Sequence, residues 1–202
     1  MTATDKTKTM ATSAGQARNE EIYRTAASLL VQRGYAGTSM SDLAKAVGLT
    51  KAGLYHHISS KQDMLFQILQ HAMDGLERDV IEPTKHIEDP EQLLREIIRL
   101  HVRGLFEHGQ EFTLLFPERR HLEPDQQQAV VLRVKNYLDI ICAAMGELAE
   151  QGKLQDLDIG IASKHILQTI AGIARWYSKE MGPSEDAIVE QTVKFNMSAI
   201  LK

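Results

Sequence analysis

A single cysteine, Cys142, occurs in 202 residues. It can form no internal disulfide, and no cysteine framework for zinc exists. No apolar run reaches about 18 residues, which excludes a membrane-spanning helix, and mean hydropathy is -0.26. Residues 1–17 are rich in Thr, Ala and Lys and carry no apolar stretch, so no secretory signal is expected there and a cytoplasmic location is. Proline is scarce, at five, and aromatic residues make up 5% of the chain. Few helix breakers leave room for long helices. A glycine-rich phosphate loop, a nucleophile elbow and a zinc-binding helix motif are all missing. Glu118-x-x-His121 has the spacing of a di-iron half-site, yet no second Glu-x-x-His follows. His56 and His57 are adjacent and point to different faces of a helix. No catalytic residue, metal or cofactor is therefore expected.

What is present is a charge asymmetry. Residues 1–62 hold eight Lys/Arg against four Asp/Glu, and residues 63–202 hold 15 against 23, so a head of +4 precedes a body of −8. Only the head suits a polyanion.

Apolar residues recur at the helical period throughout, and no segment alternates at period two. A first helix is expected from Arg18 to Arg33, with Ile22, Ala26, Leu29 and Leu30 inward and Gly34 as its stop. Ser39 with Asp42, Thr50, and Ser60 with Asp63 are cap signals for a second, third and fourth helix. Gly48 separates the second from the third, and Pro83 lies at or beyond the end of the fourth. Pro90 opens a helix to His108 whose face is Leu94, Ile97, Ile98, His101 and Leu105. A short helix is expected around Phe112 to Phe116, then a long one from Pro124 to Gln151, one from Asp158 to Ser178 and a last from Ser184 onward. The fold expected is all-α. It comprises a disordered arm (1–17), a three-helix head (18–62), and a body (63–202) made of a connecting helix and a five-helix bundle.

Two short helices joined by a glycine turn form a helix-turn-helix pattern from Ser39 to His57. Leu43, Val47, Leu49 and Leu54 supply its apolar contacts, and Ala44 is small where the helices approach. Its second helix presents Lys51, Ala52, Gly53, Tyr55, His56 and His57, a donor-rich face of little bulk that suits a major groove.

These residues resemble the TetR family of one-component bacterial regulators. The likeness rests on Gly34-Tyr35, Thr38-Ser39, Asp42-Leu43-Ala44, Gly48-Leu49-Thr50-Lys51, Leu54-Tyr55-His56, Ser60-Lys61 and Asp63-Met64-Leu65. Ile58 departs from it, standing where the family usually has Phe. The resemblance implies phosphate contacts from Thr38, Tyr55 and Lys61, with Ser39 beside them, and a groove-facing set of Lys51, Ala52, Gly53 and His56. It also implies a homodimer on a palindromic operator, joined through about residues 159–200.

The body resembles the acyl-CoA-responsive subgroup that controls fatty-acid or sterol-side-chain degradation. The carrying residues are Phe116 to Leu122 with Pro124, Arg133 with Tyr137, Gly152, Asp158, Trp176-Tyr177 and Gly182. The resemblance implies a repressor released by a hydrophobic effector, with acyl-CoA as one class of it. An apolar channel of Leu105, Phe106, Phe112, Leu115, Ile140 and Ala144 would end at Arg119, Arg120 and Arg133, with His101 or Tyr137 as neutral donor. Trp176 is the remaining candidate contact. The alternative reading is a helical small-molecule-binding or catalytic protein whose head does not bind DNA.

Overall fold

A computed structural model describes residues 3–114, 118–177, 180 and 182–202, with side chains described from Arg18 onward except at 108–110, 112 and 113. The helices are α1 (Ala3–Arg33), α2 (Met40–Ala46), α3 (Lys51–Tyr55), α4 (Lys61–Leu76), α5 (Glu82–Thr84), α6 (Pro90–Leu114), α7 (Pro124–Glu150), α8 (Ile159–Trp176) and α9 (Glu185–Ile200). The described residues contain one isolated bridge, Leu154 with Leu201, and no strand.

Local chemistry sets most boundaries. Ser39 Oγ accepts from the Asp42 amide at 3.1 Å, and the Asp42 carboxylate accepts from the Ser39 amide at 2.9 Å. Those two bonds satisfy donors that the first turn of α2 leaves open. Thr50 caps α3 through Gly53, Ser60 caps α4 through Asp63, Asp158 caps α8 and Ser184 caps α9. Gly48 closes α2 at φ 71°, a left-handed conformation that side chains rarely adopt.

Two boundaries differ from the expectation. The α1 backbone takes in residues 3–17, which the sequence reading assigns to a disordered arm. That segment is alanine-rich and free of proline but has no apolar stripe, so periodicity does not reveal it as helix. The separate short helix expected at 112–116 is, over 112–114, the end of α6. Its remaining residues, Leu115 and Phe116, lie outside the described ones. The glycine at 109 weakens a helix without obliging it to stop. Around Pro83 the chain instead widens into a π-helical turn, Glu77–Ile81, before α5. Proline has no N–H for the carbonyl four residues back and clashes with it, and a wider turn relieves both faults. The buried Thr84 hydroxyl donates to the Val80 carbonyl at 2.8 Å.

The head core joins Ile22, Ala26, Ala27 and Leu30 of α1 to Leu43, Ala44, Leu54 and Ile58, all buried. Ile58 thus fills the position where an aromatic was expected. Met64, Leu65, Ile68, Leu69 and Ala72 line the inner face of α4. In the body, α6 is the central helix and packs against α1, α4, α7, α8 and α9. Leu94, Ile97, Ile98 and Val102 form its buried side. The C-terminus is tied to the α7–α8 loop by Gln155 N donating to Ile200 O and Lys202 N donating to Lys153 O.

Candidate DNA-binding and effector sites

Five of the six residues expected on the outer face of α3 are exposed, and Gly53 is half-buried. Lys51, Ala52, Tyr55, His56 and His57 are exposed, while Leu54 is fully buried beneath them. The Leu49 amide donates to the Ala44 carbonyl at 2.9 Å, an approach that a small residue at 44 permits. Gly53 belongs to the cap. A Cβ there would lie 3.1 Å from Thr50 Oγ1, which accepts from the Gly53 amide at 2.9 Å. A short helix has few internal bonds, so this cap is a large share of what holds the reading face rigid.

Three expected phosphate contacts are occupied otherwise. Thr38 is buried, and its hydroxyl donates to the Gly34 carbonyl at 2.9 Å. Ser39 Oγ is committed to Asp42, at 2.6 Å from its carboxylate. Lys61 Nζ donates to the carbonyls of Tyr35 and Thr38, both at 2.8 Å, and lies 4.2 Å from the Tyr35 ring centroid. The turn between α1 and α2 leaves these carbonyls without helical partners, and a nearby ammonium satisfies them. These side chains therefore brace the frame. Tyr55, 46% exposed, keeps a phenol facing outward.

In the body, the structure unites His101 and Tyr137. His101 Nδ1 lies 3.0 Å from Tyr137 Oη, and both side chains are buried between α6 and α7. Burial holds the imidazole down at about 4 and pushes the phenol well above its ordinary range, so the pair is neutral at pH 7. Leu105 is buried beside this region of α6, and Phe106 meets Tyr177 edge to face, with centroids 4.9 Å apart. Ala144 is buried and Ile140 half-buried.

The arginines are not gathered around an apolar channel. Arg133 NH1 is 2.7 Å from Asp74 Oδ1 and 3.2 Å from Gln70 Oε1, so it links α7 to α4. Arg119 and Arg120 are exposed on a 3-10 turn, Arg119–His121, that rests against the start of α4 through Gln62 Nε2 donating to His121 O at 2.9 Å. Both groups thus border α4, at opposite ends. Trp176 is 59% exposed at the end of α8, away from His101 and Tyr137, because its neighbours Ile173 and Tyr177 take the inward positions. The Phe112 side chain and Leu115 fall outside the described residues.

A groove of about 710 Å³ lies along α8 and α9 and is lined by Leu157, Ile161, His165, Ile166, Phe195 and Ala199. A second, about 340 Å³, contains Trp176 and Phe195, and a third lies between α6 and α9. None of the three is lined by His101, Leu105, Tyr137 or Arg133. Sequence reasoning missed Gln70, Asp74, Tyr35 and His121 as junction residues, since their partners lie tens of residues away and leave no periodic signal.

The chain matches the model of the bacterial regulatory proteins, tetR family, over residues 22–68, and the tetracyclin repressor-like C-terminal domain over 88–200. It is 25% identical over 171 residues to the HTH-type transcriptional repressor KstR2 of Mycobacterium tuberculosis, covering 81% of this chain and 84% of that protein. It is 24% identical over 182 residues to the HTH-type transcriptional activator FasR of Mycolicibacterium smegmatis, covering 88% and 80%. Among solved structures, AibR in complex with isovaleryl coenzyme A and operator DNA superposes with a TM-score of 0.79 at 29% identity, covering 88% of this chain and 97% of that one. An all-α fold, a capped helix-turn-helix with an exposed second helix, and family models matching both halves place this chain in the TetR family of transcriptional regulators.

Proposed function

We propose that the chain is a homodimeric repressor that binds a palindromic operator and is released by a hydrophobic, anionic effector of the acyl-CoA class. It acts on chromosomal DNA, hence in the cytoplasm. Lys51, Ala52, Gly53 and His56 face the major groove, and Tyr55 reaches a phosphate. Base contacts set the sequence and phosphate contacts set the register.

The dimer reading rests on the apolar surface of α8 and α9. Ile161, Trp176 and Phe195 are 56%, 59% and 65% exposed, and they flank continuous grooves. A contiguous apolar face of this kind marks an interface. Two copies place two α3 helices on half-sites roughly 34–36 Å apart or a multiple of that.

The observation that carries the effector half is the Arg133–Asp74 link beside the buried His101–Tyr137 pair. A neutral donor pair in an apolar body suits a carbonyl, and a guanidinium suits a phosphate. An anion that engages Arg133 competes with Asp74 and frees α4, the helix that carries the head. Release follows only if the ligand binds the freed form better, with a coupling of about 1–3 kcal/mol. AibR, whose structure holds both isovaleryl coenzyme A and operator DNA, supports this class of ligand.

The test is titration of the protein–operator complex with isovaleryl-CoA, palmitoyl-CoA, the free acids and free CoA, read by fluorescence anisotropy. Release by an acyl-CoA alone is expected. Release by the free acid alone would discard the arginine role. No release by any of them would end the acyl-CoA reading.

A further inference from the structure

The body touches the head at a junction separate from the α4 connection. His121, on the 3-10 turn, stacks on Tyr35 of the α1–α2 turn, with ring centroids 4.4 Å apart and planes 15° from parallel. The same tyrosine ring carries Lys61 Nζ at 4.2 Å. Lys61 in turn holds the carbonyls of Tyr35 and Thr38, and Thr38 directly precedes Ser39, the cap of α2. Gln62 Nε2 donates to the His121 carbonyl. Three stretches, 35–38, 61–62 and 118–121, are thereby tied into one cluster at the base of the helix-turn-helix.

His121 has defined neighbours on its other side. Its Nε2 lies 3.3 Å from Glu118 Oε2 and 3.4 Å from Arg120 Nε. The one nitrogen can accept from Arg120 or, when protonated, donate to Glu118, but it cannot do both. Glu118 Oε2 is buried and has no hydrogen bond. Burial of the Tyr35 ring, and after it the Glu118 charge, push the Tyr35 phenol above its ordinary range.

We propose that His121 is a positioning residue for DNA binding. Its stack on Tyr35 holds the helix-turn-helix in register with the body, and displacement of the 119–121 turn is a second route, beside the Arg133–Asp74 link, by which occupancy of the body loosens the head. The second half rests on the effector-gated reading above, and the first does not. Arg119 and Arg120 sit on the same three-residue turn as His121. An anion drawn to them cannot shift the turn without disturbing the stack.

The experiment uses the full-length protein and a duplex selected by the wild type from a random library. His121→Ala and Tyr35→Leu should each lower operator affinity about 2- to 10-fold, the range expected of a partly exposed aromatic pair. The double variant should be no weaker than Tyr35→Leu, because that change already removes the stack that His121→Ala removes. His121→Phe keeps the stack and should restore affinity to within about twofold. Hydrogen exchange of the amides at 34–39 and 61–65 should accelerate in His121→Ala without DNA. A purely structural role would lower the melting temperature of His121→Ala and His121→Phe alike and give no such rescue.

Should His121→Ala fail to fold, Gln62→Leu cuts the carbonyl tie and leaves the rings in place; it should also speed exchange at 34–39. Unchanged affinity and exchange in His121→Ala would overturn the positioning role. Losses that multiply in the double variant would do the same. If an acyl-CoA releases the wild type and releases His121→Ala by the same factor, the transmitter role is overturned. If no acyl-CoA releases the wild type, the effector reading falls and the transmitter role with it, while the double-mutant cycle still decides the positioning role.

Discussion

Replacing Glu111 with Gln should stabilise the protein, by an amount that grows with pH. The side chain sits in α6 with no exposed surface, and neither carboxylate oxygen has a hydrogen bond. Burial raises its pKa from 4.5 to about 7, against the smaller opposing pull of its own backbone amide and then of the Arg24 charge. Below about pH 4.5 both folded and unfolded chains carry the proton, and the group contributes no penalty. Between 4.5 and 7 the unfolded chain has ionised and the folded one has not, so stability is lost as pH rises through the folded value. Above 7 the full penalty is in place. At 1.36 kcal/mol for each pH unit, the interval from 4.5 to about 7 amounts to roughly 3 kcal/mol. Glutamine is nearly isosteric and never ionises. The difference in unfolding free energy between Glu111→Gln and wild type should therefore climb by about 3 kcal/mol from pH 4.5 to pH 8, or about 6–12 °C in melting temperature for a chain of this size. Melts of both proteins followed by circular dichroism at pH 4.5, 6, 7 and 8 give that difference directly. A difference that stays flat with pH would refute the reasoning. One that falls toward high pH would mean that the carboxylate is favourably paired.

His101 should show the opposite sign. Its folded pKa lies at about 4 against 6.5, so the stability it supports is present above pH 6.5 and is lost as pH falls toward 4. His101→Phe should cost about 1–3 kcal/mol at pH 8 by leaving the Tyr137 hydroxyl unpaired, and the deficit should shrink in melts at pH 5. A deficit that does not change with pH would contradict this. Gly53→Ala should press on Thr50 Oγ1, loosen the cap of α3 by about 1 kcal/mol and weaken operator binding; full affinity in a gel-shift titration would show that the cap is dispensable. Phe195→Glu should give a monomer in sedimentation velocity at micromolar concentration and abolish tight operator binding. A dimer that persists would move the interface off α8 and α9.

Much of the fold was legible because its signals are local. Ser39, Thr50 and Ser60 each cap the helix that they signal in sequence, and Asp158 and Ser184, expected helix starts, are caps as well. All five residues of the expected α6 stripe, Leu94, Ile97, Ile98, His101 and Leu105, are buried. The exposed face of α3 follows from the burial of Leu54, which fixes the rotation of so short a helix. Orientation of single polar side chains was not legible. Thr38 turns inward because Gly34 leaves a carbonyl within reach, and Lys61 turns to the same loop for a similar reason. Trp176 is a candidate effector contact in sequence, yet the end of α8 carries it outward. Arg133 lies on α7 at a spacing that fits a ligand, and only the fold reveals Gln70 and Asp74 opposite it. Contacts such as Tyr35 with His121 join residues whose sequence neighbourhoods say nothing of one another.

The proposed reading helix is α3. Lys51→Ala and His56→Ala proteins, both altered only on that exposed face, should be compared with wild type for binding to the selected duplex and to single-base variants of it, by anisotropy at several salt concentrations. Each substitution is expected to cost roughly 1–3 kcal/mol on the preferred duplex and to relax discrimination at particular base pairs. Unchanged affinity and unchanged base preference in both proteins would contradict the assignment of α3 to the groove.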